Sequence, residues 1–317
     1  MSGPARLRRH LEAEYGPAAA AEVAGGRATD IGLEVTSLSP QQSAPVWADR
    51  HKTTIWRTHL TPPSERPIRL GVAVRGAFGP SLVQSLAVEP LLSIALAERG
   101  TCLLSGAGIV VDGRAVAICG RSRSGKSTLA LRAWAAGRSV LSDDHLRILR
   151  TGEVAGFRRR LRIYPDLRST APAATRRLGG ATRARLVAVD VVRRASAGWI
   201  GLPVLLDPSG VIDEDARVPL GAVVVIDRSA DAGSVRHVND PARAWPHLDA
   251  VVQHDLRWVA RRDAAWQAAT ETIAAGQLDL LRAAIRAADA RLSVLVVPAA
   301  WPAPRAIDAI AEQLSLD

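Results

Sequence analysis

The segment Gly120–Thr128 reads Gly-Arg-Ser-Arg-Ser-Gly-Lys-Ser-Thr, which fits the pattern G-x-x-x-x-G-K-[ST] at every position. That spacing supports one kind of chemistry. Backbone N–H groups of Gly120, Arg121, Ser122, Arg123, Ser124 and Gly125 would line a turn around a phosphate. The helix that follows adds the partial positive charge of its N-terminus. Lys126 would reach the outer phosphates, the Ser127 hydroxyl would ligate Mg²⁺, and Thr128 completes the loop. Lys52 and Lys126 are the only lysines in a chain that otherwise uses arginine. A compact ammonium fits beside a triphosphate where a flat guanidinium fork does not.

Carboxylates are the second requirement of phosphoryl chemistry, and Asp143-Asp144 stand just past the next predicted strand. Ligands of open α/β sheets bind beyond the carboxyl ends of strands, so this pair is expected to face the phosphates. One carboxylate would serve the metal, and the other would accept a proton from an incoming hydroxyl. We assign Asp143 to the metal side and Asp144 to the base, with the two open to exchange. A rival is Asp227, which ends the apolar run Ala222–Ile226. It has the placement of the magnesium carboxylate in ordinary P-loop ATPases, or else pairs with Arg228 or another arginine in a buried strand. Asp190 is a weaker candidate. His145 and the tryptophans (Trp199, Trp245, Trp258, Trp266 and Trp301) read as packing residues.

These residues need a scaffold. Leu103–Val111 and Ala115–Cys119, joined by Asp112-Gly113, predict a hairpin leading into the loop. Lys126–Ala136 predicts the helix, and Gly137 sits where a left-handed C′ residue belongs. Further strands are expected at Ser139–Leu141, Leu146–Leu149, Arg185–Val192, Ala222–Ile226 and Ser293–Val297. Helices are expected at Glu12–Ala24, Ser81–Arg99 (bent or divided at Pro90), Leu256–Ala275, Leu278–Ala290 and Ala306–Leu314. The fold class is α/β, a P-loop-containing mixed sheet with flanking helices. Residues 1–80, with Pro40, Pro45, Pro62, Pro63 and Pro67, form a small separate α+β or β-rich unit, and residues 81–317 form the main domain.

Composition narrows the function classes. A 48% apolar content in 317 residues supports a filled core. Cys102 and Cys119 are too few for a disulfide framework or a cysteine zinc site. With no apolar run of membrane length and no secretory pattern, the expectation is a cytoplasmic protein without membrane association. The net charge is +10, with arginines along the whole chain. Nucleic acid is not the expected partner, because neither zinc-finger spacing nor an RNA-binding aromatic motif is present.

From Leu103 to Leu149 the chain resembles the catalytic core of the HPr kinase/phosphorylase family. The resemblance is carried by Gly106, Asp112-Gly113, Gly120–Thr128, Gly137 and Leu141-Ser142-Asp143-Asp144. It implies that the loop binds ATP and that Asp143 and Asp144 act on Mg²⁺ and on an acceptor serine hydroxyl. The family commonly has His where Ser105 stands and Gly where Arg123 stands, and its glycine-rich signature after the Asp pair is missing. The chain is therefore more similar to divergent members, some of which phosphorylate serine in ribosomally made peptides such as lasso-peptide precursors. The expected activity is an ATP-dependent serine kinase acting on a peptide or small protein, with homo-oligomers left open. The alternative is a regulatory P-loop ATPase or nucleotide switch with no phosphoryl acceptor, using Asp227.

Overall fold

The computed structural model describes residues 4–16, 33–38, 45–51, 54–76, 78–198, 201–213 and 216–316. The chain divides into two compact units. One comprises Met1–Leu103 with Val252–Leu280, and the other Leu104–Val251 with Leu281–Asp317. The division thus differs from a boundary near residue 80. The apolar helix that follows residue 78 packs on the N-terminal elements, and a later helical stretch returns to join them.

The first unit contains a four-stranded sheet of β1 (Leu33–Ser37), β2 (Trp47–His51), β3 (Thr54–Leu60) and β4 (Ile68–Arg75), in the order β1-β4-β3-β2. Helix Pro4–Tyr15 lies upstream of the expected Glu12–Ala24, whose residues 17–24 fall outside the described ones. The chain stays helical from Gly79 to Ala97 through a wide π-turn at Gln84–Val88. Pro90 explains the wide turn: it has no N–H to donate, and its ring would crowd the carbonyl one normal turn back. The Glu89 N–H instead donates to Gln84 O, five residues earlier. This helix is long and apolar enough to cross a membrane, contrary to the sequence reading, but 67% of its apolar window is buried within the fold. It also carries polar contacts. Tyr15 Oη donates to Glu89 Oε1 at 2.8 Å, and Gln84 Nε2 donates to the same oxygen at 2.9 Å.

The second unit is built on a mixed eight-stranded sheet, and the chain is α/β as expected. Its strands are β5 (Thr101–Val111), β6 (Arg114–Gly120), β7 (Val140–Ser142), β8 (His145–Leu149), β9 (Glu153–Gly156), β12 (Arg217–Ser229), β13 (Arg236–Val238) and β14 (Arg291–Pro298). A separate two-stranded ribbon joins β10 (Leu161–Ile163) to β11 (Val204–Leu206). The order β13-β14-β12-β6-β5-β8-β9 places β6 centrally. β12 runs parallel to both β6 and β14, while β5 runs antiparallel to both β6 and β7. Hence β6, β7, β12 and β14 all end at one edge, which brings Gly120, Ser142, Asp227 and Pro298 to the same side of the sheet. The Asp112-Gly113 hairpin forms as expected, with both residues at positive φ (50° and 74°).

Two expectations fail. Arg185–Val192 is not a strand but lies within helix Gly180–Ala195. Its valines suit a strand, yet only Leu186 and Asp190 are buried, a helical spacing of four. Near the C-terminus the helices run Pro241–Ala260 and Ala264–Ala287, so the break falls at Arg261–Asp263 instead of near Gly276. There Asp263 caps the second helix, its Oδ1 accepting from the Trp266 N–H at 2.8 Å. Gly276 is absorbed inside a helix that packing maintains.

The core around the central strands joins Ile118 and Val224 to Leu129, Leu131, Ile307 and Ile310. It therefore fixes helix Lys126–Ala135, which follows the loop, against helix Ala303–Gln313. Of the tryptophans named above, Trp258 and Trp266 are buried. Trp245 and Trp301 each carry an arginine over the ring (Arg282 and Arg305), and Trp199 lies outside the described residues.

Candidate phosphate-binding and carboxylate site

β6 ends at Gly120, the chain turns, and helix Lys126–Ala135 begins with Gly125 as its N-cap. Gly120 (φ 149°) and Gly125 (φ 103°) both hold conformations that side chains rarely adopt. Space is short as well. A Cβ on Gly120 would come within 2.9 Å of Ile226 O, and one on Gly125 would collide with Ile307 Cδ1. The glycines therefore let the loop lie close to β12 on one side and the C-terminal helix on the other.

Arg123 is also left-handed, at φ 67°. Glycine is the residue that adopts this conformation without strain. A left-handed residue with a Cβ costs roughly 1–2 kcal/mol. Arg123→Gly is therefore expected to raise stability by about 1 kcal/mol, somewhat offset by the greater entropy of an unfolded glycine. Urea melts of the two chains measure it, and a destabilised variant would contradict it.

Lys126 is 8% exposed, and its Nζ donates to Gly120 O at 2.7 Å and to Arg121 O at 3.3 Å. The ammonium is thus folded over the loop it is meant to serve. Ser124 Oγ is buried with no hydrogen-bond partner inside the same turn. An orphaned buried hydroxyl normally signals a missing partner. Ser127 Oγ donates to the backbone carbonyl Asp143 O at 3.3 Å. So the loop and the Asp pair, separated by a helix and a strand in sequence, meet at Ser127.

Ser142 shapes the pair. Its Oγ accepts from the backbone N–H groups of Asp144 (3.3 Å) and His145 (3.2 Å), while Asp144 O accepts from Gly106 N at 2.7 Å. The two carboxylates enter different environments. Asp143 is 5% exposed, and its carboxyl is pushed up to about 7, by burial first and by the negative Asp144 next. Burial also works against ionisation of Asp144. Burial is the largest single influence, but Arg159, His145, Lys126 and Arg162 together outweigh it and hold that carboxyl well below the usual range. Asp144 is therefore a fixed anion, and Asp143 is poised to lose its proton when a cation arrives.

Arg159 completes the pair and is not among the candidates named from the sequence. It is 4% exposed and ion-paired to Asp144. His145 is near the pair, with Nδ1 3.7 Å from Asp144 Oδ2, and its ring meets Phe157 edge-on. Asp227 ends the apolar part of β12 beside Gly120, since Ile226 pairs with Gly120. It does not pair with Arg228, which instead donates to Ala299 O and Trp301 O. Asp190 is remote in kind, being neutralised by Arg193 and Arg194 on its own helix.

A magnesium ion would fit the donors present. Ser127 hydroxyl and Asp143 carboxylate are hard oxygen ligands. Mg²⁺ typically takes one or two protein oxygens, keeps several waters and shares the phosphates. Among the described residues no group of three or more metal-ligating side chains gathers, so an all-protein metal cage is not what this site offers. An open cleft of about 640 Å³ lies beside the loop helix, lined by Arg132, Trp301, Arg305 and Asp308, and it includes no loop residue.

No protein-family model matches the chain, and no curated protein matches it.

Proposed function

We propose that the protein is an ATP- and Mg²⁺-dependent kinase that phosphorylates a serine hydroxyl of a peptide or small protein, akin to the HPr-kinase-like family. The observation that carries this reading is the meeting of Ser127 with Asp143 beside the buried Lys126. Phosphoryl transfer needs little covalent help and is mainly positioning plus neutralisation of charge. The backbone of Gly120–Gly125 orients the phosphates, and Lys126 supplies a desolvated positive charge. Ser127 and Asp143 would hold Mg²⁺, which would supply charge neutralisation at the phosphate oxygens. As the serine oxygen bonds to the γ-phosphorus and the bond to the β–γ bridging oxygen of ATP breaks, releasing ADP, the hydroxyl proton passes to a carboxylate of the pair: Asp144, oriented by Arg159, or, with the roles exchanged, Asp143, whose raised carboxyl is the stronger base.

The test has two parts. Titration calorimetry with Mg·ATP is expected to give binding heat that ADP competes away. Incubation with γ-labelled ATP and serine-containing peptides is expected to give label transfer, lost in the double variant Asp143→Asn/Asp144→Asn. Transfer that survives the double variant would remove the mechanism.

One observation favours a second reading, an ATPase switch with no acceptor. Asp227 stands on β12 just past the residue paired with Gly120, and its carboxylate forms no hydrogen bond or ion pair among the described residues. That reading requires acceptor-independent hydrolysis that fails in Asp227→Asn and persists in Asp143→Asn.

A further inference from the structure

Charge is distributed unevenly along this chain once net values are compared. Residues 157–206 hold eleven arginines and two aspartates, with no lysine or glutamate, which gives a net +9 of the chain's +10. The remaining residues are almost neutral. The segment includes the β10–β11 ribbon and helix Gly180–Ala195, and β11 contacts that helix.

The same segment also presents apolar surface. Among the described residues seven large apolar side chains are exposed. Five of them belong to this segment: Tyr164 (47%), Val187 (45%), Val191 (60%), Val192 (43%) and Leu205 (36%). On helix Gly180–Ala195 the buried side is Leu186 and Asp190. Ala184, Val187, Val191 and Ala195 are all exposed, at helical spacings of three, four and four. These positions form a second apolar stripe that the fold itself leaves uncovered. Arg183 and Arg185 are exposed around it, while Arg193 and Arg194, also exposed, are ion-paired to Asp190.

We propose that this face docks an acidic amphipathic segment of a partner polypeptide, with apolar residues on the valine stripe and carboxylates against the flanking arginines. The charge pattern selects this occupant. A second copy of the chain would set arginine against arginine across a two-fold axis. A nucleic acid would match the charge but has no use for a row of valines, since its backbone presents phosphates. Helix-in-groove and helix-on-face recognition depends on such i, i+3, i+7 anchors. The segment is also tied to the chemistry, because Arg159 within it pairs with Asp144. That the docked polypeptide carries the acceptor serine rests on the kinase reading; the docking itself does not.

The experiment uses the full chain and a labelled peptide of about 18 residues, with leucines at i, i+3, i+7 and i+11 and glutamates on the flanks. Binding is followed by fluorescence anisotropy at about 50 and 300 mM salt. The peptide is expected to bind about tenfold more tightly than a scrambled peptide of equal composition or a single-stranded oligonucleotide of equal charge. Val187→Ser/Val191→Ser, at exposed positions, is expected to weaken it about tenfold and to leave the thermal melt and the Mg·ATP heat unchanged. Equal binding of the scrambled peptide, tighter binding of the oligonucleotide, or indifference to the double substitution would overturn the proposal. So would a dimer in sedimentation that the substitution abolishes. Docking without any nucleotide heat would defeat the kinase reading alone, and nucleotide heat without docking would defeat this proposal alone.

Discussion

Lys126→Ala is expected to lower phosphoryl transfer by about a hundredfold to a thousandfold, the usual loss when one preorganised charge donor is removed. The reason lies in the environment of the ammonium. It is nearly buried, and its Nζ is held by two loop carbonyls, Gly120 O and Arg121 O. A charge in that position costs no reorganisation when phosphate arrives, and little water stands between them to weaken it. Lys126→Arg is expected to fail almost as badly. The guanidinium fork is planar and wide and cannot take the place of a point charge inside this turn. Folding stability is expected to fall as well, by about 1–3 kcal/mol, because Gly120 O is buried and loses its donor. Single-turnover transfer with labelled ATP, run beside a urea melt, separates the two effects. Full activity in the alanine variant, with the fold intact, would exclude Lys126 from the reaction.

The second large effect is on pH. With the Asp143 carboxyl pushed up to about 7, on the proposed reading Mg²⁺ would displace the proton held there in the free protein. Below pH 7 the affinity for Mg·ATP is therefore expected to fall about tenfold per pH unit, and above it to level off. Calorimetry in buffers of different ionisation enthalpy should count close to one proton released at pH 6 and almost none at pH 8. Asp143→Asn removes this difference, and comparing the two chains subtracts the nucleotide's own titration. Asp144 contributes no slope across this window, because its carboxyl is held well below the usual range and stays ionised. The sign for folding is the reverse. A carboxyl raised in the folded state stabilises the unliganded protein at low pH, and that contribution is lost as pH rises from about 4 through about 7. Asp143→Asn should accordingly melt higher than the parent at pH 8, with the advantage fading toward pH 5. A flat, pH-independent difference between the two melts would contradict a buried, protonated Asp143.

Much of the site was legible because it is local. The hairpin Leu103–Cys119, the loop and its helix follow from turn residues and apolar spacing within a few dozen positions, and all three form where expected. Short strands and helices with clear end signals are read in the same way. The misreadings have physical causes too. A helix rich in valine and arginine, Gly180–Ala195, looks like a strand when only propensity is weighed, because its burial pattern is set by neighbours distant in sequence. Gly276 looks like a helix break until the packing that maintains the helix is known. Arg159 looks like surface charge because nothing near it in sequence needs a cation. Its partner Asp144 is reached only when the chain beyond β9 returns over the edge of the sheet.

By itself, the sequence determined the chemistry on offer: a turn with glycine at both ends, a single lysine just after it, and two adjacent carboxylates one strand later. Tertiary structure decided how those groups act. Parallel alignment of β6, β7 and β12 put loop, Asp pair and Asp227 at one edge, and the fold buried Asp143 while pairing Asp144 with Arg159. Residue identity sets which charges are available. Desolvation and long-range pairing, which belong to the folded chain alone, set which of them are protonated and which way they face.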